Sequence, residues 1–199
     1  MKKREHIKIV LLGDKMTGKT SLRKRYFSGH FNETELATIG AGFDSRVFTL
    51  QDKEYEMEVW DTSGEEKYQS ICRMYYRNAA VAILCYDVTI YSTFQKLNYW
   101  IGELYKIQES CKIYVCATKL DLLDQYEANP QINFVESYAR ENGVKFFLTS
   151  SKTGENVVSL FDEILDDYIS NSQNTPSCTD TIKLPTNKRR WMKQNKKCC

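Results

Sequence analysis

The sequence predicts an α/β fold built on a mostly parallel sheet with helices on both faces. The first observation behind this prediction is that short apolar runs alternate with helix-like segments along residues 7–169. The second is that the runs at 81–86 and 113–117 are almost continuously apolar, as in strands that a parallel sheet buries on both faces. Ligands of such folds bind beyond the carboxyl ends of the strands. The residues that follow each apolar run are therefore the candidates for a binding site.

The same pattern gives the elements in chain order. Strands are predicted at 7–12, 43–50, 55–60, 81–86, 113–117 and 144–148. Only a polar turn at 51–53 separates the second strand from the third, so this pair is predicted to form a hairpin and to make one strand antiparallel. Helices are predicted at 19–28, 94–107, 134–140 and 157–168. Residues 29–42 show no clear period and are predicted to form a long loop.

Length and composition favour one domain followed by a tail. The domain is predicted to span 1–169, and the polar stretch that begins at Ser170 predicts a disordered tail over 170–199. The seven cysteines include no C-x-x-C pair, so neither a disulfide framework nor a zinc site is expected, and the thiols should be reduced in the cytosol. The N-terminal apolar run is too short for a signal peptide, and no stretch approaches the length of a membrane span.

The first motif lies where the first strand ends. Residues 13–20 match the phosphate-binding pattern G-x-x-x-x-G-K-[ST], between a predicted strand and a predicted helix. The glycines allow a tight backbone whose N–H groups converge on a phosphate chain, and the helix N-terminus favours an anion. Lys19 can reach the outer phosphates and Thr20 can ligate Mg²⁺. This motif therefore predicts a nucleotide site.

Three further motifs each follow a predicted strand. In Trp60-Asp61-Thr62-Ser63-Gly64, a carboxylate can hold Mg²⁺ through water and a glycine N–H can meet a terminal phosphate. In Thr118-Lys119-Leu120-Asp121, a carboxylate can accept two hydrogen bonds from guanine while a lysine stem covers the base. Thr149-Ser150-Ser151-Lys152 follows the last strand. Each alone would suit an ordinary polar loop, whereas the four motifs in this order predict a guanine-nucleotide site.

With these motifs the sequence resembles the Ras superfamily of small GTPases, and the Rab family in particular. The resemblance covers nearly all of residues 7–169, and it implies the three-layer P-loop NTPase fold called the Ras-like G domain. It also implies GTP or GDP and Mg²⁺ as cofactors, and a GTP/GDP switch in vesicle trafficking. Three further stretches are similar to Rab signatures: Ile39-Gly40-Ala41-Gly42-Phe43, Tyr75-Tyr76-Arg77-Asn78-Ala79 and Tyr86-Asp87-Val88-Thr89.

The resemblance implies roles for individual residues. The catalytic residues would be Glu65, Lys19 and Thr38, and Mg²⁺ would be organised by Thr20, Thr38 and Asp61. Phe31 would pack against the guanine. The whole nucleotide-binding set would be Gly13, Asp14, Lys15, Met16, Thr17, Gly18, Lys19, Thr20, Ser21, Phe31, Thr38, Gly64, Thr118, Lys119, Asp121, Ser150, Ser151 and Lys152.

Two departures from the family pattern concern hydrolysis. Glu65 stands where relatives carry a water-orienting glutamine, and a carboxylate has no N–H for the developing phosphoryl charge and repels the γ-phosphate. Lys15 occupies a position that is small in relatives, where it would crowd an arginine finger or could contact the γ-phosphate in its place. We therefore predict slow hydrolysis. The alternative is a pseudo-GTPase, a nucleotide-bound interaction module with negligible turnover.

A third departure concerns the base. Thr118 replaces an asparagine that in relatives ties the base loop to the phosphate loop, so we predict a preference for GTP with reduced affinity. A P-loop ATPase or kinase is a further alternative, disfavoured by Asp121 and by the absence of a lid-like arginine cluster. Glu65, Lys15 and Thr118 together resemble the atypical Rab subfamily twenty-four.

Partners and location also follow from the resemblance. Effectors would bind through the switch loops and an aromatic trio of Phe43, Trp60 and Tyr75, although simple core packing of these rings remains an alternative. An exchange factor, an activating protein, a prenylation escort and a GDP-dissociation inhibitor are expected, and the protein is expected to be monomeric.

The last residues predict a membrane anchor. Cys198-Cys199 resembles the Rab signal for two geranylgeranyl groups, and the basic residues at 188–197 would add attraction to anionic lipid. A disordered basic tail with free thiols is the alternative, and nucleic acid is not expected because no recognition module accompanies the charges. The protein would then be cytoplasmic and would cycle onto the cytosolic face of an endomembrane, such as a late endosome or an autophagosome.

Overall fold

The structure, a computed structural model, describes residues 4–50, 52–64, 74–108 and 110–173. Six strands form one sheet in the order β2-β3-β1-β4-β5-β6. They are β1 (Glu5–Leu12), β2 (Ala41–Leu50), β3 (Lys53–Thr62), β4 (Val81–Asp87), β5 (Lys112–Thr118) and β6 (Lys145–Leu148). Only the β2–β3 pair is antiparallel, because a short turn joins those two strands. The predicted fold class is confirmed.

Helices cover both faces of the sheet. They are α1 (Lys19–Ser28), α2 (Tyr91–Gln95), α3 (Leu97–Ile107), α4 (Ile132–Glu141) and α5 (Val157–Gln173), with a short 3-10 helix at Leu120–Asp124. Side chains alternate along β1: Val10 belongs to the core cluster that contains Trp100 of α3, whereas Ile9 belongs to the cluster that contains Phe161 of α5. This alternation is why the central strands carry apolar residues at nearly every position.

Two predicted helices differ from the observed ones. The helix predicted at 94–107 starts earlier and is divided into α2 and α3 at Lys96, where the backbone hydrogen bonds Lys96 N–H to Ser92 O and Trp100 N–H to Lys96 O lengthen to 3.4 and 3.3 Å. The last helix continues through Gln173, so the prediction of disorder from Ser170 is wrong for residues 170–173. Ser170 and Asn171 are exposed, and a polar helical turn therefore extends the helix beyond its apolar stripe. Residues 174–199 lie outside the described residues, and the division into domain and tail stays a prediction.

The parallel pairing gathers the four motifs at one edge. Since β1, β3, β4, β5 and β6 run in the same direction, their carboxyl ends meet there. The phosphate loop follows β1, Asp61 lies at the end of β3, and the two base motifs follow β5 and β6. Three of the cysteines, Cys85, Cys111 and Cys116, are buried free thiols. None of the helices in the described ranges is long and apolar enough to cross a membrane.

Candidate functional site

The loop between β1 and α1 is wound tightly around one lysine. Gly13 and Gly18 have φ values of +145° and +79°, and a Cβ on Gly13 would lie 2.1 Å from the carbonyl oxygen of Cys85. These positions therefore require glycine. The Lys19 side chain is buried, and its Nζ donates to the carbonyl oxygens of Gly13 at 3.1 Å and Asp14 at 2.7 Å. An ammonium group is thus held inside a ring of backbone, which is the arrangement that a phosphate chain requires.

Gly64 lies directly against this loop. A Cβ on Gly64 would come within 2.3 Å of the Lys15 backbone nitrogen, so only glycine can approach so closely. Lys15 and Met16 are exposed on the outer side of the loop. The Asp14 carboxylate accepts from the Lys15 N–H at 2.8 Å and pairs with the Lys96 ammonium at 2.8 Å, which ties the loop to the junction of α2 and α3.

Three oxygen-bearing side chains meet beside Lys19. The hydroxyls of Thr20 and Thr38 are hydrogen-bonded at 2.6 Å, although 18 residues separate them in the chain. Asp61 is fully buried, and neither of its carboxylate oxygens has a hydrogen-bond partner. Burial raises the pKa of Asp61, while Thr20, Lys19 and Arg23 act in the opposite direction. Buried carboxylate oxygens without a partner next to two hydroxyls fit a hard cation such as Mg²⁺.

A cavity of about 530 Å³ runs from the phosphate loop to the base motifs. This volume lies within the range of small-molecule sites, roughly 300–1,000 Å³. Predicted residues that line the cavity are Lys15, Met16, Gly18, Lys19, Thr20, Ser21, Phe31, Thr38, Gly64, Thr118, Lys119, Asp121, Ser151 and Lys152. Gly13, Asp14, Thr17 and Ser150 of the predicted set do not line it, and the first three act on the loop's conformation instead.

The base motifs form the far end of the cavity. Ser150 is fully buried, and its hydroxyl donates to the Asp121 carboxylate at 2.5 Å. Ser150 therefore holds Asp121 in place instead of reaching the cavity itself. The Leu120 N–H donates to the carbonyl oxygen of Thr149 at 3.0 Å, which joins the two base motifs. Lys119 adopts a left-handed φ of +63° and pairs with the buried Asp87 at 2.7 Å.

Thr118 retains part of the role expected of an asparagine. Its hydroxyl oxygen lies 2.7 Å from the carbonyl oxygen of Thr17 in the phosphate loop and 2.9 Å from that of Tyr86. One hydroxyl has a single proton, so it donates to one of these carbonyls at a time. The hydrogen bond that ties residues 118–121 to the phosphate loop is thus present. What threonine cannot supply is the contact of a side-chain amide with the base.

Several residues of the site were not singled out in the sequence. Arg25 of α1 donates to the carbonyl oxygens of Ser151 at 2.5 Å and Lys152 at 2.7 Å, and so anchors the last base motif. Glu33 of the long loop pairs at 2.8 Å with Lys152, which the sequence does predict for the site. Arg23 lies beside Asp61. Nothing in the local sequence distinguishes these charged residues from the other charges of α1 and the long loop, because their partners are distant in the chain.

The predicted aromatic trio is contiguous. The ring centroids of Phe43 and Trp60 are 4.9 Å apart, and those of Trp60 and Tyr75 are 5.7 Å apart. Phe43 is 47% exposed, so the trio is not part of a closed core. Glu65, on which the prediction of slow hydrolysis depends, lies outside the described residues. So do Cys198 and Cys199, on which the predicted membrane anchor depends.

Comparisons with known proteins agree with this geometry. The family model described as Ras family matches residues 8–170. The chain is 40% identical to Ras-related protein Rab-24 of Dictyostelium discoideum over 84% of this chain and 83% of that protein. It is 36% identical to Ras-related protein Rab5A of Oryza sativa subsp. japonica over 96% and 94% of the two chains. It is 40% identical to GTP-binding protein ypt5 of Schizosaccharomyces pombe over 79% and 75%. The family match over residues 8–170 and these relatives place the chain in the Rab family of Ras-superfamily small GTPases.

Proposed function

We propose that this protein binds GTP and GDP with Mg²⁺ in the cavity described above and hydrolyses GTP slowly, as a switch in membrane trafficking. The single observation that supports this most strongly is the shared cavity: Lys19 and the Thr20–Thr38 pair line one end, and Asp121 lines the other. A ligand with both a phosphate chain and a purine would use all of these groups at once. Membership of a family of GTPases agrees with that ligand.

Each part of the ligand has its own recognition groups. The phosphate-loop residues that line the cavity, Lys15, Met16 and Gly18, and the Lys19 ammonium would bind the phosphates. Thr20, Thr38 and Asp61 would hold Mg²⁺, which supplies positive charge to the β- and γ-phosphates. Asp121, oriented by Ser150, accepts from the N–H groups of guanine and rejects adenine, which offers no matching pair of donors. Phe31 also lines the cavity and would pack against the guanine.

The switch depends on two segments that a γ-phosphate would draw together. Thr38 already contacts Thr20, and Gly64 contacts the phosphate loop, so both segments can sense the terminal phosphate. Lys24 pairs with Glu35 at 2.7 Å and Lys152 pairs with Glu33, which hold the long loop over the cavity. Effectors would bind the GTP-bound form, in which both segments are ordered, and release of these contacts after hydrolysis would end that binding. An exchange factor and an activating protein would act on the same segments.

Slow turnover is the part of the proposal that rests on Glu65. A carboxylate at that position orients water poorly and repels the γ-phosphate. The test is single-turnover hydrolysis by wild type and Glu65→Gln, each preloaded with GTP. We expect the variant to be faster by roughly tenfold or more, since orientation of water and removal of a like charge both lower the barrier. An unchanged or slower rate would contradict impairment at this position.

The alternative proposal is a pseudo-GTPase that holds its nucleotide without useful turnover. It is favoured by the exposed Lys15 side chain on the phosphate loop, which would obstruct an incoming arginine finger. The nucleotide of the freshly purified protein separates the two proposals. GDP that accumulates with time supports the enzyme, whereas GTP that persists without release of phosphate supports the interaction module. Purified protein that takes up neither nucleotide with Mg²⁺ present contradicts both.

A membrane anchor completes the proposed function. Two prenyl groups on Cys198 and Cys199, with the basic residues before them, would bring the domain to the cytosolic face of an endomembrane. A prenylation escort and a GDP-dissociation inhibitor would then carry the lipid-modified protein between membranes.

A further inference from the structure

Arg23 brings a second positive group, besides Lys19, to the candidate Mg²⁺ site. It lies on α1, one turn after Thr20, and its side chain is only 12% exposed. The guanidinium lies between α1 and the β2–β3 hairpin, where it contacts acidic residues of both strands. A guanidinium is never neutral in a protein, so this position always carries a full positive charge.

The two acidic partners of Arg23 are not equivalent. Nη1 donates a hydrogen bond to Asp44 on β2. Nε lies 3.6 Å from the Asp61 Oδ2, which is within reach of an ion pair but not of a hydrogen bond. Nε has no hydrogen-bond partner, and neither have the two carboxylate oxygens of Asp61. A buried donor and a buried acceptor of opposite charge thus face each other without completing a bond.

The hairpin is shaped around this guanidinium. Gly42 stands opposite Asp61 in the register of β2 and β3. A Cβ on Gly42 would lie 2.9 Å from the Arg23 Nη2 and 3.0 Å from its Cζ. The absence of a side chain at Gly42 therefore leaves the space that the guanidinium occupies. The guanidinium is therefore held beside Asp61 by three features: the space left at Gly42, the ion pair with Asp44 and its own burial.

We propose that Arg23 is a positioning residue that acts as a built-in counterion of Asp61 and weakens the hold of this site on Mg²⁺. The inference rests on the proposed function, since it concerns the cation that accompanies the nucleotide. Without Mg²⁺, the guanidinium compensates the buried carboxylate, which would otherwise be costly. With Mg²⁺ bound, the same guanidinium repels the cation across a few ångströms of protein. Both effects reduce the difference in free energy between the Mg²⁺-bound and Mg²⁺-free states.

The first test measures how much Mg²⁺ is needed to retain GDP. Dissociation of a fluorescent GDP is followed at a series of free Mg²⁺ concentrations for wild type and Arg23→Met. We expect the Mg²⁺ concentration that gives half of the full retention of GDP to fall by roughly three- to tenfold in Arg23→Met. The reason is that the variant loses one positive charge near the cation, whose effect solvent partly screens. Arg23→Lys retains the charge and should stay within about twofold of wild type. An unchanged or higher Mg²⁺ requirement in Arg23→Met would overturn the proposal.

Arg46→Met is the matched control. Arg46 is also a partly buried guanidinium that joins β2 to α1, where it donates to the carbonyl oxygens of Tyr26 at 3.1 Å and Phe27 at 3.0 Å. These partners are neutral and lie at the other end of α1. Arg46→Met should therefore lower stability without changing the Mg²⁺ requirement. An equal fall in both variants would assign the effect to general loosening of the hairpin and contradict the proposal.

The second test uses thermal unfolding with excess GDP, once with Mg²⁺ and once with EDTA. The melting temperature of Arg23→Met should lie further below that of wild type in EDTA than in Mg²⁺. The reason is that, without the guanidinium, only Mg²⁺ can compensate the charge of the Asp61 carboxylate. Arg46→Met should lose the same amount in both conditions. Equal losses for Arg23→Met in the two conditions would contradict a counterion role and indicate ordinary packing.

If Arg23→Met does not fold, Arg23→Gln replaces it in both tests, because glutamine keeps a polar group against Asp44 without the charge. If Arg23→Gln does not fold either, Asp44→Asn is measured. This variant should raise the Mg²⁺ requirement, because the guanidinium then has Asp61 as its main acidic partner. An unchanged value for Asp44→Asn would overturn the proposal. Wild type that binds no GDP at any Mg²⁺ concentration contradicts the proposed function, whereas normal GDP binding with the same Mg²⁺ dependence in all variants contradicts only this inference.

Discussion

Asp121 is the carboxylate that we propose to select the base. It lines the cavity, and Ser150 donates to it from a fully buried position. We expect Asp121→Asn to weaken GTP binding by about a hundredfold or more, because an amide nitrogen would face the N–H donors of guanine and leave them unpaired. Competition against a fluorescent GDP measures the change. Asp124→Asn, at an exposed position of the same 3-10 helix, is the control and should bind like wild type. Equal loss in both variants would contradict base recognition by Asp121.

Thr118 is the second residue with a separable role. Its hydroxyl links the base loop to the Thr17 carbonyl, so Thr118→Ala leaves buried carbonyl groups of Thr17 and Tyr86 without this donor. We expect GDP affinity to fall by roughly 5- to 100-fold, the equivalent of about 1–3 kcal/mol for such a loss. Thr118→Ser keeps the hydroxyl and should retain most of the affinity. Equilibrium titration with fluorescent GDP checks both. Full affinity in Thr118→Ala would mean that the tie contributes nothing to binding.

At the scale of elements, Asp167 attaches α5 to the sheet. Its carboxylate pairs with Lys112 at 2.7 Å and Lys145 at 2.9 Å, and accepts from the Tyr114 hydroxyl at 2.5 Å. Burial is the largest single influence and would raise the pKa of Asp167, but the hydrogen bonds from Lys112, Lys145 and Tyr114 together lower it to about 2. One side chain of α5 is thereby joined to both β5 and β6.

This network predicts a pH-dependent contribution to stability. Because the folded-state pKa lies below the unfolded value of about 4, the stabilisation is fully present above that pH and is lost as pH falls towards about 2. We expect Asp167→Asn to lower the free energy of unfolding at pH 7 by about 1 kcal/mol, with a smaller difference from wild type at pH 3. Urea unfolding at the two pH values measures this. Asp166→Asn, exposed on the same helix, is the control. A loss that is independent of pH would assign the effect to packing.

At the scale of the whole molecule, the proposed prenyl anchor at Cys198 and Cys199 would bring the nucleotide-binding domain to a membrane. One prenyl chain binds a bilayer only marginally, whereas two chains, or one chain with basic residues, bind stably. After prenylation, we expect wild type to float with anionic vesicles, the single variants Cys198→Ser and Cys199→Ser to float partly, and the double variant to stay in solution. Vesicle flotation measures the bound fraction. Cytosolic behaviour of wild type after prenylation, or full flotation of the double variant, would contradict the predicted anchor.

The motifs, the strand order of the chain and the outline of the site could be predicted because each depends on local sequence. The positive φ values of Gly13 and Gly18 favour glycine for a local reason, whereas the close approach of Gly13 to Cys85 is tertiary. The apolar runs at 81–86 and 113–117 report burial on both faces. The division of α2 from α3 and the helical turn at 170–173 could not be predicted in this way. The first depends on the backbone hydrogen bonds around Lys96, and the second on how far a polar turn extends an apolar helix.

By itself, the sequence determined the fold class and the positions of the four motifs after their strands, since each motif follows an apolar run with a recognisable spacing. From the same motifs it predicts Asp61 for a cation site and Asp121 for a base site. Only the tertiary structure decided which charges meet. Arg23 faces Asp61, Lys152 faces Glu33, and Thr118 reaches Thr17 across 101 residues of sequence. Such pairs have no local signature, because the parallel sheet creates them when it brings the carboxyl ends of distant strands to one edge.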